Sequence, residues 1–172
     1  IYFQSNYEAP NFKIYVTDIE KPEFENWYEF YPEKETVLEG FTFTSDYVLI
    51  MYKKDVLSHI AAYDFDGNYI KEVETPEFGD ISGMSYNEEM NTLFVSLSTF
   101  TSPAKLYKLD GKTLEWTFYY QDELPINTDN IASKMIKYKS LDGTMVPLFI
   151  SHRKDIKLDG NNPTLLYGYG GF

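Results

Sequence analysis

Cysteine is absent from the 172 residues. That excludes disulfides, thiolate nucleophiles and cysteine-ligated metals, and leaves the compartment open between cytoplasm and periplasm. Histidine occurs only twice, at His59 and His152, outside any metal-binding spacing. With no H-E-x-x-H helix pattern, both read as surface or packing residues, and no metal or cofactor is implied. Positive charge is scarce: 15 Lys and Arg face 27 Asp and Glu, for a net charge of −12. Such a chain is a poor fit to nucleic acid or to an anionic membrane surface. No run of 18 apolar residues exists, so no helix is expected to span a bilayer. The chain begins at Ile1 without a signal-peptide pattern, so any targeting segment is expected upstream.

What is present is ordinary globular material, 43 % apolar and 24 % charged, in a length sufficient for one sizeable core. The aromatic content of 18 % is high and favours strands over helices. An approximate repeat runs through the first two thirds. Tyr15-Val-Thr-Asp18 is followed 48 residues later by Tyr63-Asp-Phe-Asp66, and 44 after that by Tyr107-Lys-Leu-Asp110. Each follows a strand-like run: Tyr2–Ser5, Val48–Tyr52 and Leu93–Leu97. The last two lead into Asp66-Gly67 and Asp110-Gly111, dipeptides that suit a hairpin turn with φ > 0. Third strands follow at Tyr69–Val73 and Leu114–Tyr120, with Phe41–Thr44 or Ile81–Ser85 as the fourth. Four short strands recurring at this period predict the blades of a β-propeller. Tyr2-Phe3-Gln4-Ser5 also resembles the scar of a cleaved tag.

The pattern changes after Gln121. Residues 122–134 read as a polar linker, and Met135–Lys139 with Met145–Ser151 as a hairpin around Asp142-Gly143. Pro147 inside the second strand points to an edge or a bulge. Thr164–Tyr167 is expected to be a short buried strand that leads into Gly168-Tyr169-Gly170-Gly171-Phe172. Three chemical motifs fail on their surroundings. Asp64-Phe-Asp66-Gly67-Asn68 lacks the distal Glu of a calcium loop. Gly83-Met84-Ser85-Tyr86-Asn87 approaches a nucleophile elbow, but Asn87 replaces the second glycine and a strand follows in place of a helix. The terminal glycines lack the Lys-Ser/Thr of a phosphate loop. They do suit a backbone that approaches a substrate, where a hydroxyl such as that of Tyr169 can face a developing oxyanion.

Three stretches resemble the prolyl oligopeptidase family of serine peptidases: "SLDGTMVPLFISHRKDIKLDG", "NPTLLYGYGGF" and, more loosely, "YFQSNYEAPNFKIYVTDI". The last favours a native strand at Tyr2–Asn6 over a tag. The Gly-Gly-Phe ending is closer to the proline-specific branch than to oligopeptidase B, which carries Gly-Ala-Tyr there. The resemblance implies a mostly β chain: the last blades of a seven-bladed propeller at 1–121, a linker at 122–134, and the first strands of an α/β-hydrolase domain at 135–172. It implies a cofactor-free serine endopeptidase that cuts short peptides after proline, with the propeller limiting access. Tyr169 falls on the oxyanion-hole tyrosine, and Phe172 on the aromatic of the S1 proline pocket. The implied partners are proline-containing oligopeptides and the remainder of the same polypeptide. The family's Ser-Asp-His triad lies beyond this stretch and His152 precedes the glycine loop, so these residues alone are expected to be inactive. The competing readings are a non-catalytic propeller used as a binding module and another oligopeptidase of the same family.

Overall fold

The computed structural model describes residues 1–125 and 127–168. Strands dominate it, and the described residues contain a single 3-10 turn, Phe24–Asn26, and no α-helix. The first sheet is β1 (Tyr2–Ser5), β2 (Lys13–Val16) and β3 (Tyr28–Tyr31). The second is β4 (Val37–Phe43), β5 (Val48–Lys54), β6 (Leu57–Tyr63) and β7 (Tyr69–Val73). The third is β8 (Asp80–Asn87), β9 (Thr92–Ser98), β10 (Lys105–Asp110) and β11 (Trp116–Tyr120). Each is an antiparallel meander in which neighbours in sequence are neighbours in the sheet. A separate hairpin, β12 (Ile131–Lys139) with β13 (Met145–Arg153), follows.

The first three sheets pack face to face. Ile14, Val16, Phe30 and Tyr31 of the first meet Leu38, Val48, Ile50, Ala61 and Tyr63 of the second. Leu49, Ile60, Ala62 and Val73, on the second sheet's other face, meet Leu93, Val95, Leu109 and Leu114 of the third. A sheet covered on both sides needs apolar residues in both phases of its pleat, which is why β5 reads Val-Leu-Ile without alternation. This is blade-on-blade stacking, as the repeat predicts. Tyr2–Ser5 is a true blade strand: it pairs in register with β2, and the Tyr2 ring lies edge-on to Phe30 at 5.1 Å and to Phe43 at 4.9 Å.

The register corrects the repeat. The structurally equivalent residues are Asp18, Asp64 and Asp110, evenly spaced by 46 residues, each at the turn after the blade's penultimate strand. Their carboxylates accept backbone amides: Asp18 from Glu20, Asp64 from Asp66 and Asn68, Asp110 from Lys112 and Thr113. The middle Tyr-x-x-Asp motif, ending at Asp66, is thus two residues out of phase. The two Asp-Gly turns also differ from expectation. Only Gly67 has a positive φ, of 86°, whereas in the second turn it is Leu114, at 60°, that adopts this conformation. Gly111 is there for closeness: a Cβ would stand 2.2 Å from Asn91 Oδ1. With Leu114 in the turn, the strand starts at Trp116 and not at Leu114.

Differences appear in the last third as well. The first hairpin strand starts at Ile131, ahead of the expected Met135, and the second runs on to Arg153. Pro147 pairs with Lys137 in an uninterrupted register. Neither strand has a further neighbour among the described residues, so the edge reading holds and the bulge does not. Thr164–Tyr167 forms no strand, and Leu165, Leu166 and Tyr167 are 90, 81 and 78 % exposed. A strand exists only where a neighbour accepts its hydrogen bonds, and none lies alongside within the described residues.

Candidate functional site

Tyr169 and Phe172, the residues assigned to oxyanion and S1 pocket, lie outside the described residues. The chain that leads to them is described as far as Gly168. After β13, Ile156 N–H donates to Arg153 O at 3.4 Å, and Asn162 Nδ2 closes a turn on Lys157 O at 2.8 Å.

The hairpin β12–β13 meets the propeller at the blade ends opposite the Asp64 and Asp110 turns. There the β5–β6 turn, Asp55–Val56, places the Asp55 carboxylate 2.5 Å from Lys137 Nζ of β12. Phe100, in the β9–β10 loop, stacks on Phe149 of β13, with centroids 4.1 Å apart and planes at 29°. Between these contacts lies a cavity of about 590 Å³, lined by Leu57, Phe78, Phe100, Met135 and Phe149 with Glu77 and Lys134. Phe78 and Phe100 are 86 and 60 % exposed. An apolar cleft with a few charges between two structural units is a common setting for ligand binding.

Polar clusters missed by the sequence analysis stitch the blades together at this end. Ser58, buried on β6, accepts from Lys53 Nζ at 3.0 Å and from the Ile81 amide at 3.1 Å, and donates to Asp80 Oδ1 at 2.8 Å. Its own amide donates to Gly79 O at 3.3 Å. Lys53 also pairs with Asp80 and, at 3.6 Å, with Glu39. Close by, Tyr52 donates to both oxygens of Glu72 at 2.8 and 2.9 Å, and His59 Nδ1 lies 3.3 Å from Glu72 Oε1. Burial, then the Glu72 hydrogen bond, pushes the Tyr52 phenol well above its ordinary value, so it stays a neutral donor. Glu77 does the same for the next blade, accepting from Tyr107 and Lys105, both at 2.5 Å. Burial, then this bond, raises Tyr107 likewise. The one available signal was charge inside strand runs, as at Glu72 and Lys53, and sequence alone does not say which of those charges find partners.

None of these groups forms a nucleophile–base pair. Ser85 is exposed on β8 opposite Phe94, with a turn and β9 after it, which is the blade-strand role and not an elbow. His59 is turned to Glu72, and Ser58 is engaged by Lys53, Asp80 and the Ile81 amide. His152 Nδ1 lies 2.8 Å from Arg153 O. The Asp64 carboxylate is taken up by its own turn, where the Asn68 side chain, then the Asn68 amide, holds its pKa below the usual value.

Comparison with known proteins agrees with this architecture. Residues 1–122 match the family model described as prolyl oligopeptidase, N-terminal beta-propeller domain. A prolyl endopeptidase of Elizabethkingia meningoseptica is 31 % identical over 172 residues, all of this chain and 24 % of that protein. Prolyl oligopeptidase A of Galerina marginata is 32 % identical over 99 % of the chain and 23 % of its own length. Among solved structures, a prolyl endopeptidase studied for the role of inter-domain dynamics superimposes with a TM-score of 0.82 at 32 % identity, over 99 % of this chain and 25 % of that one. Prolyl oligopeptidase B from Galerina marginata, bound to a 35mer hydrolysis and macrocyclization substrate, gives a TM-score of 0.80 at 25 % identity, over 99 % of this chain and 24 % of its own. The chain therefore spans about a quarter of the length of the curated relatives it matches. On the family match and the stacked blades together, the chain belongs to the prolyl oligopeptidase family.

Proposed function

We propose that the protein carrying this chain is a serine endopeptidase that hydrolyses short peptides on the C-terminal side of proline, with the propeller restricting access. The observation that carries this reading is the end-to-end alignment of all 172 residues with a prolyl endopeptidase, through the blades and on past the hairpin. In this reading residues 1–121 are propeller blades, 122–134 connect, and 135–172 begin the hydrolase domain. The nucleophile, acid and base are supplied by polypeptide outside these residues.

Tyr169 donates its hydroxyl to the oxyanion in this mechanism, and Phe172 packs against the substrate's proline ring. A donor aimed at the oxyanion acts most strongly once the carbonyl oxygen carries charge, so it lowers the barrier more than it tightens ground-state binding. Tyr169→Phe keeps the ring and removes that donor. The expected result, on a proline substrate whose acylation is rate-limiting, is a loss of about 10²–10³ in kcat with little change in KM. Phe172→Ala is expected to lower kcat/KM and discrimination for proline together. Wild-type kcat in Tyr169→Phe refutes the oxyanion role. Absence of proline-specific hydrolysis by the full-length wild-type protein, with no labelling by a serine-directed phosphonate, refutes the peptidase reading itself.

A further inference from the structure

We propose that the Asp55–Lys137 ion pair is a latch that holds the hairpin β12–β13 on the propeller, and that the joint between the two opens as a unit when it is released. Its bearing on peptide access rests on the peptidase reading above, but the latch itself does not.

Three observations converge on it. First, β12 and β13 hydrogen-bond only to each other among the described residues. What holds the hairpin to the blades is side chains, chiefly Asp55–Lys137 and Phe100–Phe149. Secondly, the space between those two contacts is a gap of about 590 Å³. Protein interiors are packed without voids of this size, so the hairpin rests on two points and is not fused into a blade. Few buried contacts mark the boundary at which a structure opens locally before it unfolds globally.

Thirdly, the turn that carries Asp55 is strained. Lys54 pairs with Leu57, leaving a two-residue loop with φ of 51° at Asp55 and 63° at Val56. This geometry suits the twist of a hairpin, but it favours Asn-Gly or Asp-Gly. A β-branched residue at positive φ is an outlier. Val56 is 56 % exposed, so burial of its side chain does not offset the strain. What the tight turn does achieve is to hold the Asp55 carboxylate out at the tip, where Lys137 reaches it.

The pair is itself partly open to water, with side-chain exposures of 39 and 35 %. Its effect is therefore modest and sensitive to salt. The test is hydrogen exchange on the full-length protein, read at the Asp55–Leu57 turn and the Thr99–Ser102 loop, which the hairpin covers. Asp55→Lys and Lys137→Asp are each expected to speed exchange there about two- to five-fold, and added salt to shrink the difference. The double reversal, Asp55→Lys with Lys137→Asp, is expected to restore the wild-type rate. Unchanged exchange in the single variants overturns the latch. So does a double variant that stays fast, because that outcome means each substitution loosened its own strand without involving the other. Exchange reads the joint whether or not the protein cleaves peptides.

Discussion

Removing one oxygen from Ser58 separates a structural role from a merely polar position. Ser58 is 3 % exposed, and its Oγ accepts the Ile81 amide, at 3.1 Å, across the boundary between the second and third sheets. Ser58→Ala leaves that buried N–H without its side-chain partner. An orphaned buried amide costs roughly 1–3 kcal/mol. The other two bonds contribute less: Asp80 is 57 % exposed and Lys53 28 %, so water replaces much of what they lose. The sum expected is about 1–3 kcal/mol, set mainly by the amide. The same chemical change at Ser85, exposed on β8, is expected to fall within about 0.5 kcal/mol of wild type. Native-state hydrogen exchange on the full-length protein, following the Ile81–Ser85 and Leu93–Leu97 amides, measures both. Equal effects of Ser58→Ala and Ser85→Ala refute the inter-blade role assigned to Ser58. A loss confined to β5 and β6, without faster exchange in β8, refutes it too.

Three further outcomes are expected. Leu93→Ala, at a fully buried position between the second and third sheets, should cost about 2–5 kcal/mol in denaturant unfolding of the full-length protein; a cost under about 1 kcal/mol would mean that the blades do not pack there. Gly79→Ala places a Cβ 2.1 Å from Ser98 O, a backbone atom, so it should destabilise by more than the roughly 0.5 kcal/mol typical of a surface change, and a neutral result contradicts the close approach of connector and β9. The Asp110 carboxyl is held below its ordinary pKa first by the Thr113 amide and then by that of Lys112. A lowered folded pKa contributes stability above the unfolded value near 3.8, lost as pH falls through the lower folded value. Asp110→Asn should therefore flatten the acid limb of the stability profile between neutral pH and that range, and an unchanged acid limb refutes the assignment.

The blades were legible because their signals are local. β-rich runs ended by Asp and Gly recur, and a run such as Val48-Leu49-Ile50 that is apolar in both phases announces a sheet covered on both faces. The phase of the repeat was not legible. Tyr15 and Tyr107 stand three residues before the turn-opening aspartates, but Tyr63 stands immediately before its own, Asp64. An aromatic at a strand end marks packing, whereas the aspartate is fixed by the amides it must accept, so the aspartate is the better ruler. Contacts between blades were invisible for a different reason. Ser58 meets Ile81 only because two sheets stack with a particular offset, and nothing within either strand encodes that offset. Thr164–Tyr167 shows the same dependence from the other side. Its leucines carry the composition of a buried strand, yet Leu165 and Leu166 stand exposed. A strand is a property of a pair: composition can propose one, but only a neighbour with free donors and acceptors can make it.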